Sequence, residues 1–166
     1  MRMTETQELL DALREQRRTL LITARGLTDE QAATRSTVSE LTLGGIVNHL
    51  THGERNWTLV LSSGTGETPP GMFDMDQYKM PQGAGLSALV AAYEAAARAT
   101  DEAVERAGLD TVVPLPEAPW EPGVVPRWSV RRIVLHLLRE TAQHSGHADF
   151  LREAIDGAST TAQLGD

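Results

Sequence analysis

The amino-acid sequence predicts an all-α fold, a four-helix bundle, and three observations carry that prediction. Apolar residues recur at three- and four-residue spacing in four long stretches. Helix start and stop residues bound those stretches, with Thr42 and Ser129 as N-caps and Gly26, Gly108 and Gly157 as stops. No segment shows a convincing alternation of apolar and polar residues. At 166 residues the chain is expected to form one domain over residues 1–157, followed by a flexible tail over 158–166.

The first helix is expected from Glu5 to Arg25, with Leu9, Leu13, Leu20, Leu21 and Ala24 as its apolar stripe and Arg14, Glu15, Arg18 and Arg25 mostly away from it. Thr28, followed three residues later by Gln31, signals a short helical turn. The second long helix runs from Thr42 to about Ser62, and Leu43, Ile46, Val47, Leu50, Trp57 and Leu61 share one face. Gly44 and Gly45 lower helix propensity there and allow a neighbouring helix to come close. Residues 63–85 are rich in Gly and Pro and long for a connection inside a domain. Met72, Phe73, Met75, Tyr78 and Met80 point to part of this segment packing down, as a cap on the bundle or as a pocket wall; a partly ordered crossover is equally compatible.

The third helix spans Leu86 to Ala107, with a stripe of Leu86, Val90, Tyr93, Ala97, Thr100 and Val104. Residues 109–128 are proline-rich, and the Val112-Val113 and Val124-Val125-Pro126 pieces suit short extended segments. Trp120 and Trp128 either close over the end of the bundle or seal the core, and sealing is the favoured reading. The fourth helix starts after Ser129, with Val130, Ile133, Val134, Leu137, Thr141, Ala148, Leu151 and Ile155 inward, and stops at Gly157.

Composition excludes several function classes. Asp and Glu outnumber Lys and Arg by 23 to 15, a formal charge of −8, which argues against nucleic acid or anionic membrane as the main partner. No apolar run has the length of a bilayer span, and the N-terminus lacks the apolar centre of a signal peptide, so cytoplasmic residence is expected. There is no cysteine. Disulfides, Cys-ligated zinc and a Cys nucleophile are therefore ruled out, and any metal must be held by nitrogen and oxygen.

The chemistry concentrates on the histidines. Three of five, His136, His144 and His147, lie on the fourth helix; His49 and His52 lie on the second. Glu140 and His144 are four residues apart, one turn along the same side of the helix, where a carboxylate and an imidazole can reach one cation. His49 from the facing helix would complete a three-ligand set with open positions. Spacing alone supports packed core histidines and a surface Glu–His pair equally well. His136 points away from the centre of the stripe and is expected to be structural or solvated. His52 is expected to be exposed, with a nearby acid as partner.

His49-Leu50-Thr51-His52-Gly53-Glu54-Arg55-Asn56-Trp57, then Arg127-Trp128-Ser129-Val130, then Glu140 through Asp149, together resemble the DinB-like superfamily, and Leu151 through Gly157 extends the likeness. Within it the chain is similar to an actinobacterial branch of "mini-circle protein" relatives. The resemblance implies a four-helix bundle with a long crossover between the second and third helices. It also implies a zinc or nickel ion bound by a helix-two histidine and an i,i+4 pair on the last helix. Most members have His-xxx-His at that pair, and Glu140 departs from this pattern. The similar mycothiol-dependent maleylpyruvate isomerases use a His, Glu, His set, so the implied ligands are His49, Glu140 and His144. His147 then serves as a fourth or substitute ligand, or as a proton shuttle.

The resemblance further implies a homodimer and a thiol enzyme: an S-transferase or isomerase that uses mycothiol with a small-molecule electrophile. A metal-dependent hydrolase, and a non-enzymatic binding or stress protein stapled by its metal, remain as alternatives.

Overall fold

Thr4, Thr28, Thr42 and Ser129 sit in extended backbone, and each hydroxyl accepts from an amide in the first turn of the helix that follows. At Thr4 and Thr28 the glutamine three residues on returns the bond, closing a capping box. These caps start α1 (Glu5–Ala24), α2 (Asp29–Ala33), α3 (Leu43–Ser63) and α5 (Val130–Asp156). The intervening α4 (Leu86–Ala107) has no cap of its own, and Asp29 of α2 accepts from its Leu86 amide at 2.7 Å. The computed structural model describes residues 3–164.

The four long helices α1, α3, α4 and α5 make the expected bundle. Helix α1 packs chiefly on α5 and α3 on α4, while α3 and α5 face each other across the site. The crossover from α3 to α4 carries a 3₁₀ turn, Met75–Tyr78, that lies on α3. After α4, β1 (Val112–Pro114) and β2 (Arg127–Ser129) pair antiparallel with Val113 opposite Trp128. The first valine pair is in a strand as expected. The second is not: Val124 and Val125 are exposed, and the strand begins after Pro126.

Beyond Gly157 the chain forms α6 (Thr160–Gln163), whose buried Thr160 donates through amide and hydroxyl to Asp149. The last two residues of the segment read as a flexible tail, 165 and 166, and the first two of the chain lie outside the described residues.

Two apolar clusters fill the bundle. One gathers Leu13, Trp57, Ala103 and Leu137; the other gathers Leu20, Leu50, Tyr93 and Ala148. Between them every long helix contributes buried polar side chains: Arg17 from α1, Glu54 from α3, Thr100 from α4, Thr141 and Ser145 from α5. Arg17 grips Glu54 with two bonds of 2.7 and 2.9 Å and reaches Asp101 at 2.7 Å. Removing one partner of such a pair leaves the other buried and uncompensated, a cost of about 3–5 kcal/mol.

This pair also corrects the stripe expected on α1. The inner face carries Leu10 and Arg17, and Leu9 moves to its edge; position 17 falls on the stripe between Leu13 and Leu20, and Glu54 neutralises the charge that an arginine brings there. On α5 the buried Arg152 donates to the carbonyls of Thr23 and Arg25, closing the C-terminal end of α1, where a cation opposes the helix dipole.

Candidate metal centre

The polar layer opens at the α3–α5 seam, and there His49, Glu140 and His144 converge. Their ligand atoms all lie within 4.8 Å of one another. His49 is set by the crossover. Asn48 donates to the carbonyls of Gln77 and Lys79, both at 3.0 Å, and pins the 3₁₀ turn to α3. Gln77 uses its amide nitrogen on the Met72 carbonyl at 3.1 Å and turns Oε1 to His49 Nδ1 at 3.2 Å. An amide oxygen only accepts, so Nδ1 carries the proton and Nε2 keeps its lone pair. The Tyr78 ring stacks on His49, centroids 4.0 Å apart and planes 17° from parallel.

Gly44 and Gly45 make this seat. A Cβ on Gly45 would collide with the Tyr78 carbonyl, and one on Gly44 with the Met80 sulfur. The close approach expected at this pair is therefore made chiefly by the crossover, not by another long helix.

On α5, Glu140 accepts from Arg139 through Oε1 at 2.9 Å, and its Oε2 stands 3.8 Å from His144 Nε2. The His144 ring meets His49 edge-on, centroids 4.8 Å apart. Neither ring nitrogen of His144 has a protein hydrogen bond among the described residues, although Nδ1 is fully buried.

Burial, with His144 next to it, pushes His49 down to about 4; burial likewise lowers His144, against the pull of Glu140. Burial works against ionisation of Glu140, but Arg139, His136 and His144 outweigh it and hold that carboxyl below its ordinary value. The group is thus two neutral imidazoles and a carboxylate near neutral pH. That is the protonation state metal ligands need.

A cleft of about 400 Å³ leads away from this cluster. Its walls are mostly carbon, and all three tryptophans of the chain line it. Trp57 and Trp128 stack in parallel, 5.6 Å apart, and His136 meets both edge-on at 5.0 and 5.5 Å. Phe73 meets Trp120 edge-on at 5.4 Å.

The sequence of this chain matches the family model described as mycothiol-S-transferase over residues 8–157. The chain belongs to the mycothiol-S-transferase family. This is a DinB-like family, as the motifs around His49 and Glu140 indicate. A search of curated proteins gives no match.

In this mycothiol-S-transferase family member the donor set suits a divalent ion. Ligands of one tetrahedral ion at about 2.0–2.2 Å stand roughly 3.5 Å apart, so side-chain movements of about 1 Å would close the set. Two histidines and one carboxylate leave a coordination position open, as catalytic rather than structural zinc sites do. His147, half-buried and next along α5, lies outside the three-residue cluster.

Several expectations change. His52 is half-buried near Asp74, without an ion pair to it among the described residues. His136 is a wall of the cleft. Trp128 packs against the core, but Trp120 is 75 % exposed and stands at the rim, so it does not seal. Gln77 and Arg139, which hydrogen-bond to His49 and Glu140, carry no signal in the local sequence; only the placement of the crossover and the α5 wheel relative to the cleft reveals them.

Proposed function

We propose that this protein is a divalent-metal-dependent S-transferase in which mycothiol, or a low-molecular-weight thiol of that kind, gives its sulfur to an electrophile in the cleft. One observation carries the reading: the His49–Glu140–His144 cluster opens into an apolar cleft, in a chain of the mycothiol-S-transferase family that has no cysteine of its own. When bound, a divalent cation supplies Lewis acidity that lowers the pKa of a coordinated thiol and keeps its sulfur anionic near neutral pH. Zinc suits two imidazoles and a carboxylate, with nickel as the next fit.

The chain's own residues do the rest. Gln77 presents the His49 lone pair, and Arg139 fixes one oxygen of Glu140 so that the other faces His144. The apolar walls keep water from competing with the thiolate. Transfer forms one C–S bond. The electrophile either expels a leaving group with its bonding pair or, for a conjugated double bond, takes up a proton after addition. The thiol proton leaves to solvent, and we assign its relay to His147, three residues beyond His144 on α5.

The test is elemental analysis and mycothiol transfer on untagged protein. Wild type is expected to hold about one ion per chain, His49→Ala and His144→Ala to lose it, Glu140→Ala to bind at least about 10-fold more weakly, and His147→Ala to keep it. Full metal retention by both His49→Ala and His144→Ala would refute the proposal. Turnover that needs metal but no thiol would identify a hydrolase instead.

A further inference from the structure

The geometry points to the aromatic end of the cleft as the acceptor subsite, built for an uncharged, planar, conjugated carbonyl compound whose oxygen accepts a hydrogen bond from His136. This rests on the S-transferase reading and names the class of electrophile it takes.

Three features define the subsite. First, it is flat and aromatic. Trp57 and Trp128 lie within 10° of parallel at the wall, and the Phe73–Trp120 pair stands at the rim, offering faces and edges on which a planar π-system stacks. Second, it has one oriented donor. Arg139 stands 3.0 Å from His136 Nδ1, and a guanidinium can only donate, so Nδ1 accepts and the proton sits on Nε2. That Nε2–H makes no protein hydrogen bond among the described residues and is the donor His136 retains for a ligand in the cleft. Third, the charge is one-sided. Glu54 and Glu140 line the cleft, the former already held by Arg17, and no lysine or arginine lines it among the described residues. The two guanidiniums nearest the lining are engaged at its outer side, Arg139 on Glu140 and His136 Nδ1 and Arg132 over the Trp128 ring at 4.3 Å, so a carboxylate-bearing acceptor inside the cleft would meet Glu140 without a cation among the lining residues.

His136, Glu140 and His144 follow one another at four-residue steps on α5, so the donor lies about one turn, roughly 6 Å, from the nearest proposed ligand. An enone spans that distance with its β-carbon toward the thiolate and its oxygen toward His136. The C–S bond forms at the β-carbon, the alkene π pair becomes the C=C of the enolate, the carbonyl π pair moves onto the oxygen, and that oxygen is held by Nε2–H. A proton from water then arrives at the α-carbon, completing addition of the thiol across the double bond. The hydrogen bond strengthens as the oxygen becomes anionic, which makes it a transition-state interaction.

The chain has no cysteine, so a reactive enone can be titrated without alkylating a protein thiol, and every tryptophan reports on the cleft. Benzylideneacetone and the cinnamate anion, matched in shape, are titrated into metal-free, thiol-free protein while tryptophan fluorescence, corrected for probe absorbance, is followed. Saturable quenching by the ketone is expected, with cinnamate and the Trp128→Ala variant each at least about 10-fold weaker. Absent quenching, or equal affinity for the two probes, overturns the subsite.

With mycothiol and metal present, His136→Phe is expected to lower kcat at least about 10-fold, leaving KM within about 3-fold and metal content unchanged. An unchanged kcat removes His136 from the reaction. Loss of metal or thiol use in wild type would defeat the S-transferase reading, while the quenching data would still decide the subsite by themselves.

Discussion

Gln77 decides which nitrogen His49 can offer. Its side-chain amide is held by the Met72 carbonyl, so its oxygen alone faces Nδ1 and the lone pair that a metal would use stays on Nε2. Gln77→Leu should remove that constraint without unfolding the protein, because the residue is only half-buried and sits in the crossover, outside the bundle. The expected outcome is a metal Kd weakened about 10- to 100-fold, with the melting temperature of the chelated protein nearly unchanged. Competition titration against a chromophoric chelator measures the first and calorimetry the second. An unchanged Kd would mean that Tyr78 stacking alone holds the ring. Nothing around Gln77 in the sequence advertises this role: one amide in a Gly- and Pro-rich stretch becomes informative only when Asn48 is seen to pin that stretch to α3.

At the level of elements, the crossover and α3 form one unit through the glycine pair. The turn backbone fits against α3 because Gly45 has no Cβ to meet the Tyr78 carbonyl. Gly45→Ala should be a gain for an isolated helix, by up to about 1 kcal/mol. Here it must push the 3₁₀ turn outward, taking Tyr78 and Gln77 away from His49. The variant is therefore expected to fold, with α3 intact by circular dichroism, and to lose metal affinity by at least about 10-fold. Wild-type affinity in Gly45→Ala would show that the turn can shift without carrying His49 with it. The four long helices could be read from apolar spacing, and the caps Thr42 and Ser129 from their hydroxyls at the helix starts, since both signals are local. Burial of Arg17 could not, because its partner Glu54 lies 37 residues away and an arginine without a visible partner is read as solvated even at a position on the inner stripe. That His136 lines a cleft is not legible for a related reason: its wheel position refers to the bundle axis, whereas the cleft is made by loops that bring Trp128 and Phe73 into its walls.

For the whole molecule, the site and the stability of the bundle draw on the same histidines. Burial lowers the pKa of His49 to about 4 and also lowers those of His144, His136 and His52 from the ordinary 6.5. The unfolded chain takes up protons on these rings near 6.5, whereas the folded chain resists until the pH is lower. Between pH 6.5 and about 4, the window set by His49, the unfolded state binds more protons, so stability falls as the pH falls. Glu140, held below its usual value, adds a loss of the same sign once the pH drops through the carboxylate range. A bound ion must deepen the slope, because protons compete with it for His49 and His144, and its stabilisation, about 2.7 kcal/mol at 100-fold excess over Kd, disappears over the same window. Melting curves at pH 7.5, 6 and 5, with and without chelator, are expected to show a falling midpoint in both series and a steeper fall with metal. His49→Phe, which cannot titrate or bind, should flatten both curves and bring them together. If the chelated wild type melts at one temperature from pH 7.5 to 5, the rings titrate alike in both states and the cluster is more open to water than its packing under Tyr78 implies.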